Sequence, residues 1–391
     1  MLIINIYIVR IVYCIPSVFN SGGMERILAV KANYLIEKGY DIYIVTTDQK
    51  DRKSFFEYLP QIKFVDLDIN YSDNKGRHTP AWFIRRMSKG SLHKKRLRDL
   101  LLDIKPDITI SMFQHESSFL YKLKDGSVKL IESHFCRYVR ERSFSSNFLS
   151  KIIAKYRVMA DARLVCKYDR FITLTNEDRL DWPKSDNIVV IPNPVVITSK
   201  DVSSLDTKRI IAVGRISYQK GFDRLIKAWN IVNHSRCDWS LSIVGSDSNS
   251  RYTNELNDLI AYYGLDNVTL VKPTIAIEQE YLNSSFLVMS SRYEGFGLVL
   301  IEAMSCGLPC VSFACKCGPR DIITHGKDGL LVEDGDILQL ANAMMELMEN
   351  TDKLKQMGIN AENKAKQYGL SFIMEKWIEL FQSCVNKKLE K

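Results

Sequence analysis

The sequence predicts an α/β protein with parallel sheets, and three observations support that fold class. Short apolar runs rich in β-branched residues alternate with amphipathic helical patterns along the chain, which is the order that parallel sheets require. The chain has 391 residues, 46% of them hydrophobic and 26% charged, as expected of a globular protein with two or three domains. No internal repeat or low-complexity segment interrupts the alternation.

The first half of the chain contains six predicted strands. A helix over 25–38 follows the first of them and ends at Gly39, a residue type that readily adopts the left-handed conformation at a helix end. Asn193 and Pro194 indicate a turn, and the polar residues 199–208 complete a linker. We therefore predict a first domain over residues 1–198, with strands at 11–15, 42–46, 62–66, 108–111, 128–132 and 171–174.

The second half repeats this pattern after the linker. Two final helices are predicted at residues 352–367 and 372–388. We therefore predict a second domain over residues 199–370 and a C-terminal helical segment over residues 371–391. The strands predicted in the second domain are 209–214, 240–245, 268–272, 286–290 and 310–313.

The apolar N-terminal segment, residues 1–19, has some features of a signal anchor. It is short for a membrane span, is interrupted by Arg10 and lacks a basic leader. Its β-branched residues and Pro16 are typical of a buried strand that ends in a turn, so we predict a first strand there.

The nine cysteines are scattered without the spacing of a disulfide framework. Four of them cluster between residues 306 and 317, but without the paired C-x2-C spacing of a zinc site. We therefore expect free thiols in a reducing cytoplasm.

Positive charge is concentrated in the first half of the chain. Residues 1–198 carry a formal charge of +10 and the remainder −2, within a total of +8. The densest stretch, residues 75–105, combines basic residues with Trp82 and Phe83. A solvated helix face and a contact with an anionic membrane surface both explain this composition. Nucleic acid is a weaker alternative, since no nucleic-acid-binding motif is present.

The segment over residues 291–307, SRYEGFGLVLIEAMSCG, carries the clearest functional pattern. Glu294 lies on a predicted strand-to-helix loop, next to Gly295, Phe296 and Gly297, and Glu302 lies in the helix that follows. Glycines let backbone N–H groups approach a ligand, and a helix N-terminus favours phosphate. The carboxylates would suit ribose and sugar hydroxyls. An ordinary strand–turn–helix with solvated acids is the alternative for such a pair taken alone.

Taken together, these residues resemble the donor-site signature of retaining glycosyltransferases of family 4, within the glycosyl transferases group 1. Residues 307–313 and 318–323 also match, as do the segments GGMER (residues 22–26) and VGRISYQKGFDRLIKAW (residues 213–229). The resemblance implies the GT-B fold: two doubly wound Rossmann-like domains that face each other across a cleft, with the C-terminal helix crossing back to the first domain. Trp377 and Phe381 would then be packing anchors of that helix.

The resemblance also implies roles for individual residues on the donor side. Arg215 and Lys220 would hold the β-phosphate and stabilise the charge that develops on the leaving nucleoside diphosphate. Glu302 would bind the ribose hydroxyls, and Glu294 those of the donor sugar. The remaining donor-binding candidates are the loop glycines and backbone amides, and Thr274 at the nucleobase edge: Gly22, Gly23, Gly295, Phe296, Gly297, Leu298 and Thr274.

In the first domain, His134 follows a predicted strand, and in the family a histidine near this place often contacts the donor sugar or the acceptor. A hydrogen-bonded structural histidine is the alternative. His115 is a weaker candidate. Arg137, Arg140 and Arg142 would suit an anionic acceptor such as a lipid diphosphate, or would be solvated.

We therefore predict a glycosyltransferase that transfers a hexose or N-acetylhexosamine from a nucleotide diphosphate donor, UDP-linked, to a glycan or lipid-linked acceptor in surface polysaccharide assembly. No D-x-D dyad is set to bind a metal–diphosphate, and Arg215, Lys220 and a helix N-terminus can take that role, so we predict transfer without a metal or other cofactor. The free cysteines predict a cytoplasmic location, and the basic first domain suggests peripheral contact with the inner membrane face, with a solvated surface as the alternative. The alternatives are a catalytically silent sugar-nucleotide-binding scaffold, a nucleic-acid-binding protein, an epimerase, and a transferase that uses a GDP-sugar.

Overall fold

The computed structural model describes residues 8–73, 80–138, 148–197, 201–247, 250–274 and 276–389. Within these ranges the strands form two sheets, one of seven strands and one of six, and every strand pairing in them is parallel. The predicted α/β class is confirmed.

The first sheet has the strand order β3-β2-β1-β4-β5-β6-β7, which is doubly wound because the chain runs outward from β1 in both directions. Its strands are β1 (Arg10–Cys14), β2 (Asp41–Thr46), β3 (Lys63–Asp66), β4 (Ile108–Ser111), β5 (Val128–Glu132), β6 (Arg170–Thr173) and β7 (Ile188–Val190). The helices of this half are α1 (Gly23–Glu37), α2 (Pro80–Ile104), α3 (Phe148–Val165) and α4 (Asn176–Asp181).

The second sheet has the equivalent order β10-β9-β8-β11-β12-β13. Its strands are β8 (Arg209–Val213), β9 (Ser240–Val244), β10 (Val268–Val271), β11 (Phe286–Met289), β12 (Cys310–Phe313) and β13 (Gly329–Val332). The helices that follow are α5 (Phe222–Asn233), α6 (Ser250–Tyr263), α7 (Ile277–Leu282), α8 (Leu298–Ser305), α9 (Pro319–Ile322), α10 (Ile337–Glu349), α11 (Thr351–Ala365) and α12 (Leu370–Leu389).

Both faces of the first sheet are buried, as a parallel sheet requires. On β1, Ile11 and Tyr13 face a core shared with α1 and α12, whereas Val12 and Cys14 face a core shared with α2. The period of two along a strand produces this division, which explains why β1 is apolar at successive positions rather than at alternate ones. The predicted buried first strand is confirmed.

The C-terminal helix α12 packs on the first domain rather than on the second. Trp377 and Phe381 are 1% and 0% exposed and belong to the same core as Ile11 and Tyr13. The predicted crossing helix and its two anchors are confirmed. The boundaries predicted for the three segments remain predictions.

Two strands were missed in the sequence. The segment over residues 187–194 was interpreted only as the end of the first half, but Ile188–Val190 forms the edge strand β7. The strand β13 was not predicted, and it pairs with β12 from Cys310 to Phe313. Within the described ranges, no helix combines the length and the apolarity that a membrane crossing needs.

Candidate functional site

The predicted site lies where loops of the two domains meet. Gly297 is the cap residue before α8 and has φ of +93°, a conformation that favours glycine. A Cβ on Gly295 would overlap the carbonyl oxygen of His134 in the first domain. A Cβ on Gly23, at the start of α1, would lie 3.4 Å from the Leu298 side chain. These glycines therefore allow close approach of the two domains.

Lys220 and Glu294 meet directly, although 74 positions separate them. The Lys220 Nζ donates to Glu294 Oε1 at 2.7 Å, and the Ser291 hydroxyl donates to the same oxygen at 2.6 Å. The two ion-pair side chains are 14% and 7% exposed. Gly214 makes room for this lysine, because a Cβ there would lie 2.8 Å from Lys220 Cε. The structure thus brings a cation and a carboxylate together in a nearly buried setting.

Glu302 is held by one residue from each domain. Its Oε1 accepts a hydrogen bond from Arg26 at 2.7 Å, and its Oε2 accepts one from the Tyr281 hydroxyl at 3.1 Å. Glu302 is 3% exposed. Burial raises the pKa of Glu302, and Arg26 and Tyr281 offset part of that rise. Neither Arg26 nor Tyr281 was singled out in the sequence, although Arg26 lies within the GGMER segment.

Arg215 follows β8 and is exposed. Burial raises the pKa of Glu25, and the positive charge of Arg215 offsets part of that rise. Glu25 lies on α1, so Arg215 also faces the junction of the domains. Gly22 precedes α1 as its cap residue, in extended conformation.

A second ion pair braces the loop that carries Lys220. Arg292 donates to both oxygens of Asp223, at 2.8 and 2.7 Å, and to the Tyr218 carbonyl at 2.7 Å. The Tyr252 hydroxyl donates to Asp223 at 2.6 Å. Arg292 therefore ties the Glu294 loop to the short helix Tyr218–Lys220. In the sequence, Tyr218, Asp223 and Arg292 were marked only by their positions inside the two matched segments, and Tyr252 lies outside both.

Several other predicted residues make contacts away from Lys220, Glu294 and Glu302. Thr274 is exposed, and its hydroxyl accepts a hydrogen bond from the Ala276 N–H, so the contacts seen within the described ranges do not join it to this group. The His115 ring lies against the Tyr71 ring, with 4.0 Å between the ring centres, and burial lowers the pKa of His115. Arg137 donates to the Asp181 carbonyl. Arg140 and Arg142 lie outside the described residues.

His134 lies at the domain junction with its side chain 5% exposed. Its Nε2 is 3.2 Å from Glu132 Oε1, at the end of β5. Its carbonyl is the group that excludes a side chain from Gly295. The histidine therefore lies beside the Glu294 loop, backed by a carboxylate that was not singled out in the sequence.

A further set of polar contacts joins the domains beside α4. Asp321 accepts hydrogen bonds from the backbone of Asn176 and Glu177, at 2.8 and 3.3 Å. Lys316 pairs with Asp181 at 3.1 Å. The domain junction thus consists of ion pairs and backbone contacts around the site.

All nine cysteines fall within the described ranges and none is in a disulfide. Cys310 and Cys315 are fully buried in the core of the second domain, and burial raises the pKa of both thiols. In the part of the chain that the structure describes, no group of three or more His, Cys, Asp or Glu side chains is arranged to hold a metal ion. The prediction of metal-independent transfer is not tested by this.

Comparison with known proteins agrees with the geometry. Residues 197–364 match the family described as glycosyl transferases group 1. An uncharacterized glycosyltransferase of Haemophilus influenzae is 28% identical over 373 residues, covering 94% of this chain and 98% of that protein. The amylovoran biosynthesis glycosyltransferase AmsD of Erwinia amylovora is 26% identical, covering 95% and 99%. A Staphylococcus aureus TarM mutant, solved with fondaparinux, alpha-GlcNAc-glycerol and UDP, shares the fold with a TM-score of 0.75 at 18% identity, covering 96% and 100%.

Proposed function

We propose that this chain, whose residues 197–364 match the glycosyl transferases group 1 and which has the GT-B fold, is a glycosyltransferase that transfers a hexose or N-acetylhexosamine from a UDP-linked donor, with retention, to a glycan or lipid-linked acceptor in surface polysaccharide assembly. The observation that carries this proposal is the meeting of Lys220 and Glu294 at the domain junction. A relative named for amylovoran biosynthesis and a similar fold solved with UDP support the substrate classes.

The donor would separate Lys220 from Glu294. A diphosphate carries the negative charge that Lys220 and the exposed Arg215 can bind, and sugar hydroxyls can donate to Glu294 in place of the lysine. As the bond from sugar to phosphate breaks, negative charge develops on the leaving group, and fixed cations stabilise that charge. The leaving phosphate then accepts the proton of the attacking hydroxyl on the same face of the sugar, which retains the anomeric configuration.

Glu302 is proposed to bind the ribose. A carboxylate has about four acceptor positions; Tyr281, in the same domain as Glu302, takes one, and ribose hydroxyls can take the position that Arg26 holds in the free protein and one that is open. Because Glu302 is 3% exposed, the first domain must move for a nucleotide to reach it. We propose that no metal ion is required, because Lys220 and Arg215 supply the positive charge.

A thermal-shift titration with UDP, GDP and their sugars, with and without EDTA, tests the donor class. A ligand at a hundredfold excess over its Kd stabilises the fold by about 2.7 kcal/mol. We expect stabilisation by UDP compounds that EDTA leaves unchanged. Stabilisation by GDP compounds alone would overturn the donor assignment, and loss of the effect in EDTA would overturn metal independence.

The transfer role of Lys220 is tested by Lys220→Met. Removing a donor to the developing charge costs about 2.7–4 kcal/mol, so we expect kcat to fall by about 10²–10³-fold in a radiolabelled-sugar transfer assay. The matched control is Lys227→Met, an exposed lysine on α5, which should keep wild-type kcat. Wild-type turnover in Lys220→Met would refute the role. Stabilisation by UDP-sugar with neither transfer nor hydrolysis in the wild type would identify a silent scaffold instead.

We also propose that the first domain docks on an anionic membrane surface on the cytoplasmic side. On α2, Ile84 and Met87 are each 68% exposed beside basic side chains, and on α3, Ile152 and Tyr156 are 52% and 71% exposed. Apolar residues that insert at the interface, flanked by cations, suit anionic lipid headgroups. This surface would place a lipid-linked acceptor beside the cleft.

Flotation with liposomes that contain anionic lipid tests this docking. Each basic residue near the surface contributes about 1 kcal/mol, so neutralising four should weaken binding by up to about a thousandfold. The variant changes four exposed residues of α2 to glutamine: Arg85, Arg86, Lys94 and Lys95. The control changes four exposed lysines of the second domain: Lys227, Lys272, Lys327 and Lys355. Equal flotation of both variants would refute the docking surface.

A further inference from the structure

A fully buried ion pair lies beneath the candidate site in the first domain. Lys31 on α1 and Glu132 at the end of β5 are each 1% exposed. The Lys31 Nζ donates to both carboxylate oxygens, at 2.8 and 2.7 Å. Burying two charges is costly, and replacing such a pair with apolar residues is often neutral or stabilising. Stability alone therefore does not explain why this buried ion pair is present.

The C-terminal helix covers this pair. The Lys31 Nζ lies 3.4 Å from the centre of the Trp377 ring and 5.6 Å from that of Tyr13. An aromatic face attracts a cation, so α12 holds the lysine against Glu132. Burial alone would raise the pKa of Glu132, but Lys31 and His134 outweigh it and bring that pKa to about 2. The carboxylate is therefore ionised throughout the neutral range.

Glu132 also faces the site. The His134 Nε2 is buried and lies 3.2 Å from Glu132 Oε1. Within the described residues it has no well-aligned hydrogen-bond partner. In ligand-free enzymes such contacts are often poorly aligned and tighten when substrate binds. The His134 backbone lies against Gly295, the residue after Glu294, so the ring lies close to the residues assigned to the donor.

We propose that Glu132 is a positioning residue for His134: it accepts the Nε2–H, which fixes the ring as the tautomer with its lone pair on Nδ1, while Lys31 and Trp377 hold the carboxylate in place. A neutral histidine has one donor and one acceptor nitrogen, and the partner of one nitrogen decides the role of the other. Nδ1 would then accept a hydrogen bond from a hydroxyl of the donor sugar or the acceptor. This inference rests on the proposed transfer reaction.

The test uses paired variants, because Glu132→Gln alone would leave Lys31 charged and unpaired in the core. Lys31→Met with Glu132→Leu removes both charges and the acceptor. Lys31→Met with Glu132→Gln keeps an oxygen that can accept from Nε2–H. We expect the first pair to lower kcat by about 10–100-fold with little change in KM, and the second to recover much of that loss. As control, Lys129→Met with Asp125→Asn removes the buried pair at the opposite end of β5 and should leave kcat unchanged.

A long-range ¹H–¹⁵N spectrum of histidine-labelled protein gives a readout separate from activity. The chain has six histidines, and His134→Asn assigns the relevant signals. We expect the Nε2–H tautomer in the wild type, its loss in the variant that combines Lys31→Met with Glu132→Leu, and no change in the Lys129 and Asp125 control. An Nδ1–H tautomer in the wild type would overturn the inference without any variant.

Two further outcomes separate this inference from the proposed function. If His134→Asn keeps wild-type kcat, His134 has no part in the reaction and the positioning role falls with it. If His134→Asn lowers kcat while Lys31→Met with Glu132→Leu keeps wild-type kcat and tautomer, the pair is only structural and the proposed transfer stands.

Discussion

The ion pair between Arg26 and Glu302 joins the two domains, and its removal has an effect whose size depends on pH. Burial raises the pKa of Glu302 above its usual 4.5, and Arg26 offsets part of that rise. A carboxyl with a raised folded pKa stabilises the fold fully below its unfolded pKa, and this contribution is lost as pH rises through the folded value. Without Arg26 the folded pKa rises further, so the variant loses more stability than the wild type on going from pH 4.5 to pH 8.

We expect Arg26→Ala to lower the free energy of unfolding by about 1.5–3 kcal/mol at pH 8, the usual worth of a hydrogen bond to a charged group. The value exceeds the 0–1 kcal/mol typical of surface pairs, because the Glu302 side chain is 4% exposed. It stays below the cost of breaking a fully buried pair, about 3–5 kcal/mol, because Arg26 is 27% exposed. At pH 4.5 the loss should be smaller, because the raised pKa of Glu302 favours its protonated form there.

Urea unfolding followed by tryptophan fluorescence at both pH values measures this. Four proteins form a double-mutant cycle: wild type, Arg26→Ala, Glu302→Gln and the double variant. At pH 8 most of the effect of Arg26→Ala should vanish in the Glu302→Gln background. Arg251→Ala, which breaks an exposed pair with Glu255, is the matched control and should change stability by less than about 0.5 kcal/mol. An equal loss at both pH values, or no coupling in the cycle, would refute the reasoning.

Two further predictions concern Glu116, which is buried, and Asp223, whose side chain is 20% exposed. Burial raises the pKa of Glu116 to about 7, so the stability that its protonated form contributes is lost as pH rises from 4.5 through 7. Relative to the wild type, the free energy of unfolding of Glu116→Gln should therefore rise by about 2–3 kcal/mol between pH 5 and pH 8.5 in urea unfolding. Parallel pH profiles of the two proteins would contradict this. Burial alone would raise the pKa of Asp223, but Arg292 outweighs it and holds that pKa below its usual value. Arg292→Leu should therefore lower the free energy of unfolding by about 3 kcal/mol at pH 7, and by less as pH falls through the folded pKa of Asp223. It should also lower kcat, because Arg292 holds the loop that carries Lys220. Unchanged kcat would show that Arg292 does not position Lys220.

The strands could be predicted wherever an apolar run is long enough to be recognised by itself. The three residues of β7 precede Pro192 and Pro194, and β13 begins at Gly329 after a turn. Their apolar runs, residues 188–191 and 330–332, are short, and each becomes a strand because a neighbouring strand, β6 or β12, pairs with it. Strand state at such sheet edges is decided by the tertiary structure, which local sequence does not contain.

The site was predicted residue by residue but not contact by contact. Lys220 and Glu294 were assigned separate roles, and their ion pair follows from the sheet order, in which β8 lies next to β11. Arg26 is 276 positions from Glu302, so only the docking of the domains brings them together. Lys31 lies on the buried face of α1 among apolar residues. The sequence does not show that Glu132 lies opposite it, so the ion pair that explains this buried charge could not be predicted.

Both carboxylates proposed to bind the donor are already paired with cations in the free protein, Glu294 with Lys220 and Glu302 with Arg26. A nucleotide sugar brings hydroxyls for the carboxylates and phosphates for the cations, so binding exchanges partners rather than adding contacts. The net gain of each exchange is then small, as it is when a protein hydrogen bond replaces one to water. The diphosphate is what makes the exchange favourable, because it gives the released cations a more highly charged partner than the one they lose. A neutral sugar carries no charge that attracts the cations, so under the proposed function we expect the sugar to bind only together with the nucleotide part of the donor.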